Sequence, residues 1–226
     1  MAAGEGTRLR PLTERWAKPI LPIDGRAVLP VLLRELAAAA CERVWLVTGY
    51  LAEQVERLAD GSSYGLEIRF VNQPAVLGSA DAVRRALDAG AVPPALVSAA
   101  DTVYRPGDVE RFAVAFAGSG AAGAVAVRTK PPPGAGRHAI RRRVDRVERM
   151  RDEDPTNPWS GAPLWGVGPV VAGRLCLDQP PHELENAFQA AIDAGETVMA
   201  VEIGKTRDLT YPLDLVKENF PYLRAL

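Results

Sequence analysis

Gly4 and Gly6 stand one residue apart and are followed by Thr7, Arg8 and then Lys18. A turn with two glycines lets successive backbone N–H groups approach an anion with no Cβ in the way. Arg8 can fork onto phosphate oxygens and Lys18 can add a compact charge, so the spacing suits a polyphosphate. Two rival loops fail on spacing. A P-loop needs GxxxxGK[ST], and a dinucleotide fingerprint needs a third glycine where Leu9 stands. Taken without its neighbours, a GxG pair is simply a tight turn.

The elements that must aim this loop show in the apolar pattern. Short Val-rich runs at Arg43 to Thr48, Leu66 to Asn72, Ala95 to Ala99 and Gly123 to Arg128 alternate with segments of helical spacing, which marks an α/β sheet. Little polar alternation interrupts the runs, so they are expected to be buried on both faces and largely parallel. Helices are expected around Leu29 to Ala40, Val83 to Leu87, Val109 to Phe116 and Leu184 to Ile192, with Gly90, Gly118 and Gly195 as stops. The stretch 131–163 changes texture, with Pro131, Pro132, Pro133, Gly134 and Gly136 ahead of an arginine-rich run. It reads as an insertion or lid beside the main sheet. Thr197 to Glu202 returns to strand character, and Tyr211 to Leu226 reads as a closing helix and tail.

The chain has 226 residues, 27 Lys plus Arg against 28 Asp plus Glu, and 47% apolar content. That is the composition of one soluble globular domain over 1–226, and it excludes collagen, coiled coil and disorder. Cys41 and Cys176 stand apart without CxxC spacing, so neither a disulfide framework nor a zinc site is indicated. No apolar run reaches bilayer length and no secretory leader pattern opens the chain, which makes a cytoplasmic location the expectation. With a net charge of -1 and a pI of about 6.2, a general nucleic-acid binder is not expected either.

The whole opening string, GxGTRLRPLT from Gly4 to Thr13 followed by KPxLPxxG from Lys18 to Gly25, resembles the signature of the sugar-1-phosphate nucleotidylyltransferases. Val47 to Val55 looks like the second strand and turn of that family, and Leu77 to Val83 (LGSADAV) is similar to its LGTAxAV segment. The resemblance implies a Rossmann-like, mixed but mainly parallel sheet flanked by helices, with a small insertion. It implies a reaction in which a sugar 1-phosphate attacks the α-phosphorus of a nucleoside triphosphate, releasing pyrophosphate. By position, Ala3, Gly4, Gly6, Thr7 and Arg8 would cradle the triphosphate, Lys18 would bridge phosphates, and Gln73 and Gly78 would meet the nucleotide base. Arg8 and Lys18 are thereby the catalytic pair.

Such a transfer leaves little covalent work for a protein and depends on positioning and charge neutralisation. A divalent ion is expected, with Mg2+ as the cofactor, held by one or two carboxylates together with phosphate oxygens. Asp101, after the apolar run 95–100, resembles the metal aspartate of the family's GD motif, although Ala100 replaces the glycine. Asp208 resembles the aspartate of its WxDxGTP segment, with tryptophan and glycine replaced. The competing reading makes Asp208 a cap for the helix beyond Pro212. Where the family carries Glu-Lys-Pro against the sugar phosphate, this chain offers Asp152-Glu153-Asp154. Glu153 is therefore the counterpart candidate, together with Gly166 in Gly166-Val167-Gly168. Each has a plain alternative: Asp152-Glu153-Asp154 is a DxD pattern or a solvated loop, and Gly166 a strand glycine placed for close packing.

Arg137, Arg141, Arg142, Arg143, Arg146, Arg149 and Arg151 read as solvated strand faces, since no aromatic residues interleave them for nucleic acid. His138 and His182 read as surface histidines, and no GxSxG or HExxH supports hydrolysis. The family places an apolar strand ahead of the glycine loop, whereas only Met1, Ala2 and Ala3 precede Gly4 here. The expectation is either a sequence that starts inside a longer product or a chain of compromised activity, with ladder groups left unpaired. The substrates implied are a nucleoside triphosphate and a sugar 1-phosphate, with no membrane, no nucleic acid, and homo-oligomerisation left open. Three alternatives remain: a cytidylyltransferase on a non-sugar phosphate such as phosphocholine, a glycosyltransferase, and a non-catalytic regulatory homologue that binds nucleotide sugar without turnover.

Overall fold

The computed structural model describes residues 1–129, 139–178 and 181–220. Single 3-10 turns carry the chain from Thr7 to Ile20, and the ribbon β1 (Pro22–Ile23) and β2 (Arg26–Ala27) leads into α1 (Val28–Ala38). Leu29, Leu32, Leu33 and Leu36 form one buried face of α1, as their spacing requires. Next come β3 (Arg43–Thr48), α2 (Ala52–Asp60) and β4 (Glu67–Asn72), a parallel pair joined by a crossover helix. Then follow α3 (Ser79–Asp88), β5 (Ala95–Ser98), β6 (Thr102–Val103), α4 (Asp108–Ser119) and β7 (Gly123–Thr129). The second half holds β8 (Ile140–Arg143), β9 (Arg146–Met150), β10 (Trp159–Val167), α5 (Pro169–Ala172) and α6 (Leu184–Asp193). It closes with β11 (Val198–Glu202), β12 (Arg207–Asp208) and α7 (Pro212–Asn219).

The main sheet runs β5-β10-β7-β11-β9-β8. Of the ladders in it, β7 with β11 is parallel, whereas β10 is antiparallel to both β5 and β7. The sheet is mixed, and β5 and β7 are not direct neighbours because β10 lies between them. Both faces of β7 are covered, which explains its unbroken apolar run. Ala124 and Ala126 join the core under α1 and α4, while Val125 and Val127 join the core under α5 and α6.

The segment 131–163 divides rather than standing beside the sheet. Residues 131–138, with His138, lie outside the described residues. The hairpin β8–β9 forms the sheet edge, and the residues from Trp159 onward belong to a central strand. A helix also occupies 52–60, where the sequence had suggested only a turn after β3; its start is Leu51 in a left-handed conformation (φ 51°).

Residues 1–3 occupy the space between β3 and β5. Ala2 N–H donates to Val47 O (2.7 Å), the Met1 amino group to Ser98 O (2.8 Å), and Ala100 N–H to Met1 O (2.9 Å). Below these contacts the two strands are separated by an apolar cavity of about 380 Å3, walled by α1, α3 and residues 43–47 and 95–98.

Candidate active site

A second cavity of about 610 Å3 opens at the carboxyl ends of β4 and β5, where α/β sheets present ligand sites. Its walls include residues 1–9, Lys18, Gln73, Gly78, Ser79, Asp101 and Thr210. Ala3, Gly4, Gly6, Thr7, Arg8, Lys18, Gln73, Gly78 and Asp101, all singled out from the sequence, therefore meet in one place.

The loop is fixed from its second glycine. Gly6 is left-handed (φ 63°), and Thr13 Oγ1 donates to its carbonyl at 2.9 Å. A Cβ on Gly6 would lie 3.0 Å from the Thr13 methyl and 3.5 Å from Lys18 Cβ, so the loop, Thr13 and the Lys18 stem pack as one unit. Gly4 has open space around it and contributes access rather than shape. Arg8 is exposed along the cavity wall, and among the described residues it makes no hydrogen bond or ion pair.

Lys18 pairs with Asp101, and both are largely shielded from solvent, with side-chain exposures of 16% and 28%. Asp208 does not line the cavity. It sits on the antiparallel ribbon of β6 and β12, opposite Thr102, the residue after Asp101, and accepts a hydrogen bond from Thr210 Oγ1 at 3.1 Å. Pairing two short strands from distant parts of the chain is what makes the carboxylate-bearing segments neighbours. The capping role belongs to another residue: Asp214 accepts from the N–H groups of Thr210 and Tyr211 at the start of α7.

A family model described as nucleotidyl transferase matches residues 1–150. The chain belongs to the nucleotidyl transferase family. Among its relatives, a glucose-1-phosphate thymidylyltransferase of Streptomyces antibioticus is 40% identical over 84 residues, which are 37% of this chain and 24% of that protein. A CMP-5'-(3-aminopropyl)phosphonate synthase of Streptomyces rubellomurinus is 35% identical over 120 residues, 51% of this chain and 18% of the relative. The chain thus aligns with a quarter or less of these proteins. Among solved structures, a UDP-glucose pyrophosphorylase from Acinetobacter baumanii superposes with a TM-score of 0.82 at 18% identity, over 98% of this chain and 90% of that one. The family resemblance drawn from the glycine-rich opening holds, and so does the α/β fold it implied.

Within this nucleotidyl transferase fold, Gln73 is 5% exposed and committed on one side. Its amide N–H2 donates to Asp81 Oδ2 (2.7 Å) and to Gly78 O (3.1 Å). Burial pushes the Asp81 carboxyl up, but bonds from Arg85 and Gln73 outweigh it and hold the group below its ordinary value. An ionised Asp81 accepts only, which fixes the amide orientation and leaves the Gln73 oxygen as the available group. Gly78 is required by its backbone: φ is 113°, and a Cβ there would lie 2.4 Å from His182 O.

Other expectations change. Gly166 is buried in β10, where a Cβ would strike the Phe116 ring at 2.4 Å, so its surroundings match close packing and not the cavity. Glu153 is exposed and is not among the cavity walls. Asp152 is buried rather than solvated, bonded by Arg141 (2.7 Å) and Asn157 (2.8 Å), which removes it from any DxD metal pair. His182 is also buried, its backbone clamped between Leu77 O and Ala80 N–H. Cys41 and Cys176 are free. Ser79 and Thr210 join the cavity walls without having been assigned a role from sequence. Ser79 stands within the LGSADAV segment, which was the available signal.

Proposed function

We propose that this chain transfers a nucleotidyl group from a nucleoside triphosphate to the phosphate of a sugar 1-phosphate. The acceptor's phosphate oxygen attacks the α-phosphorus, the bond from that phosphorus to the bridging oxygen breaks, and pyrophosphate leaves with the electron pair. The observation that carries this reading is the convergence of the glycine loop, Arg8, Lys18 and Asp101 on one cavity of nucleotide size. Arg8, uncommitted at the wall, is placed to balance charge growing on the leaving pyrophosphate. Lys18 exchanges its Asp101 partner for phosphate oxygens as substrate enters. The Gln73 amide oxygen accepts from an N–H of the base.

Asp101 in the cavity wall and Asp208 on the ribbon opposite Thr102 are the two carboxylates that would hold Mg2+. Mg2+ takes one or two carboxylates and completes its shell with phosphate oxygens and water. Bound there, the ion would neutralise charge on the reacting phosphates. No helix among the described residues is long and apolar enough to cross a membrane.

The relative named as a phosphonate synthase supports a second reading, a cytidylyltransferase with a non-sugar acceptor. Pyrophosphate release from each of the common nucleoside triphosphates, tested against hexose 1-phosphates and phosphocholine, with Mg2+ and with chelator, separates the two. Turnover with phosphocholine alone selects the second reading. Nucleotide binding without pyrophosphate release in any combination overturns both.

A further inference from the structure

Four buried side-chain polar atoms among the described residues lack a hydrogen-bond partner: Arg128 Nε, Ser160 Oγ, Thr206 Oγ1 and His182 Nδ1. The first three belong to one end of the molecule. Arg128 and Ser160 are direct cross-strand partners on β7 and β10. Thr206 lies two residues ahead of Asp208, on the segment entered when Ile203 N–H bonds to Val127 O. Strand alternation puts Arg128 on the same face as Ala124 and Ala126, the face packed with Ala100 and Tyr104.

Arg128 is half-buried with its Nε enclosed, and among the described residues it makes no ion pair or hydrogen bond. Burial, the first cause, lowers its pKa, against the raising effects of Asp208 and the Tyr104 phenol. Asp208 is nonetheless beyond ion-pair contact. An unpaired, partly desolvated guanidinium is costly, and a perturbed charge of this kind marks a candidate ligand site. The triphosphate cavity does not include Arg128 among its walls, and Asp208, opposite Thr102 on the β6–β12 ribbon, lies outside those walls as well. In-line transfer needs its nucleophile on the side of the α-phosphorus opposite the leaving group.

We propose that Arg128, with the hydroxyls of Ser160 and Thr206, is the anion subsite that receives the phosphate or phosphonate group of the acceptor substrate. The planar fork of Arg128 binds two oxygens of that group and the hydroxyls donate to it. This assignment rests on the nucleotidyl transfer reading, and it names the cation that takes the place of the family's lysine at the sugar phosphate.

The test is equilibrium binding of inorganic phosphate and of glucose 1-phosphate, followed by phosphorus NMR titration, to the wild-type chain, Arg128→Gln and Arg128→Lys. Nucleoside triphosphate affinity and Tm are measured in parallel. The expected result is at least about tenfold weaker phosphate binding in Arg128→Gln, a smaller loss in Arg128→Lys, triphosphate affinity within about twofold of wild type, and an unchanged or higher Tm. Unchanged phosphate affinity in Arg128→Gln, equal weakening of triphosphate, or a lower Tm showing a structural role would each overturn the subsite. Because phosphate binding is read without turnover, the transfer reading can fail, through absent pyrophosphate release, while the Arg128 comparison still stands.

Discussion

At the scale of single residues, charge is held in reserve. Arg8 is unpaired among the described residues, and Lys18 and Asp101 neutralise each other, which on the proposed reading leaves both to be claimed by substrate and metal. Replacing Arg8 or Asp101 by alanine is expected to lower kcat about a hundredfold or more, the effect of losing one preorganised charge donor, with Tm little changed for Arg8. Pyrophosphate release measures it, and near-normal turnover in either variant would remove that residue from the mechanism. Asp81 gives a second residue-level expectation. Its folded pKa lies below the unfolded value, so its contribution to stability is present above about pH 4 and is lost as the pH falls through the folded value. Asp81→Asn should flatten the acid limb of a Tm against pH curve. It should also free the Gln73 amide to turn, shifting KM for nucleotide more than KM for acceptor. An unchanged acid limb would show that other carboxylates dominate it.

At the scale of elements, the site depends on tight junctions between segments. The α3 entrance is one: Gly78 at φ 113° lies against the His182 backbone, Ala80 N–H donates to His182 O, and Ser79 Oγ accepts from Leu184 N–H at 2.8 Å. One side of this junction forms the cavity wall, and the other starts α6. Gly78→Ala should destabilise the fold by roughly 1 to 3 kcal/mol from the glycine-only conformation alone, and by more from the clash. For a chain of this size that lowers Tm by about 5 °C or more in calorimetry. A variant that melts with wild type would show that α6 can move aside freely. The sequence contained the signal for α3 in LGSADAV, yet nothing in it showed that residues 182–184 would close over that helix. Such closure is a contact between segments a hundred residues apart.

At the scale of the whole molecule, the order β5-β10-β7-β11-β9-β8 brings the far half of the chain back to the glycine loop. Asp208 reaches Thr102 through one short ribbon, so metal and nucleotide binding should tie the two halves together. A nucleoside triphosphate with Mg2+ at a hundredfold excess over Kd should stabilise the folded chain by roughly 2.7 kcal/mol, and chelator should abolish most of that gain. Differential scanning calorimetry reads both. Equal stabilisation with chelator present would place the metal outside the binding step.

The amino-acid sequence alone determined the local facts: the glycine turn with Arg8 and Lys18 behind it, the strand positions with β7 buried on both faces, the helix faces and the family they compose; β4, expected buried, is largely exposed. Those depend on residue type and on spacing over a few positions, where periodicity and backbone freedom act directly. Only the folded chain decided that Gly166 packs on Phe116, that Asp152 is tied to Arg141 and Asn157, that His182 is buried, and that Arg128 Nε is enclosed without a partner among the described residues. Burial and pairing are set by what the rest of the chain brings alongside, and no short window of sequence carries that information.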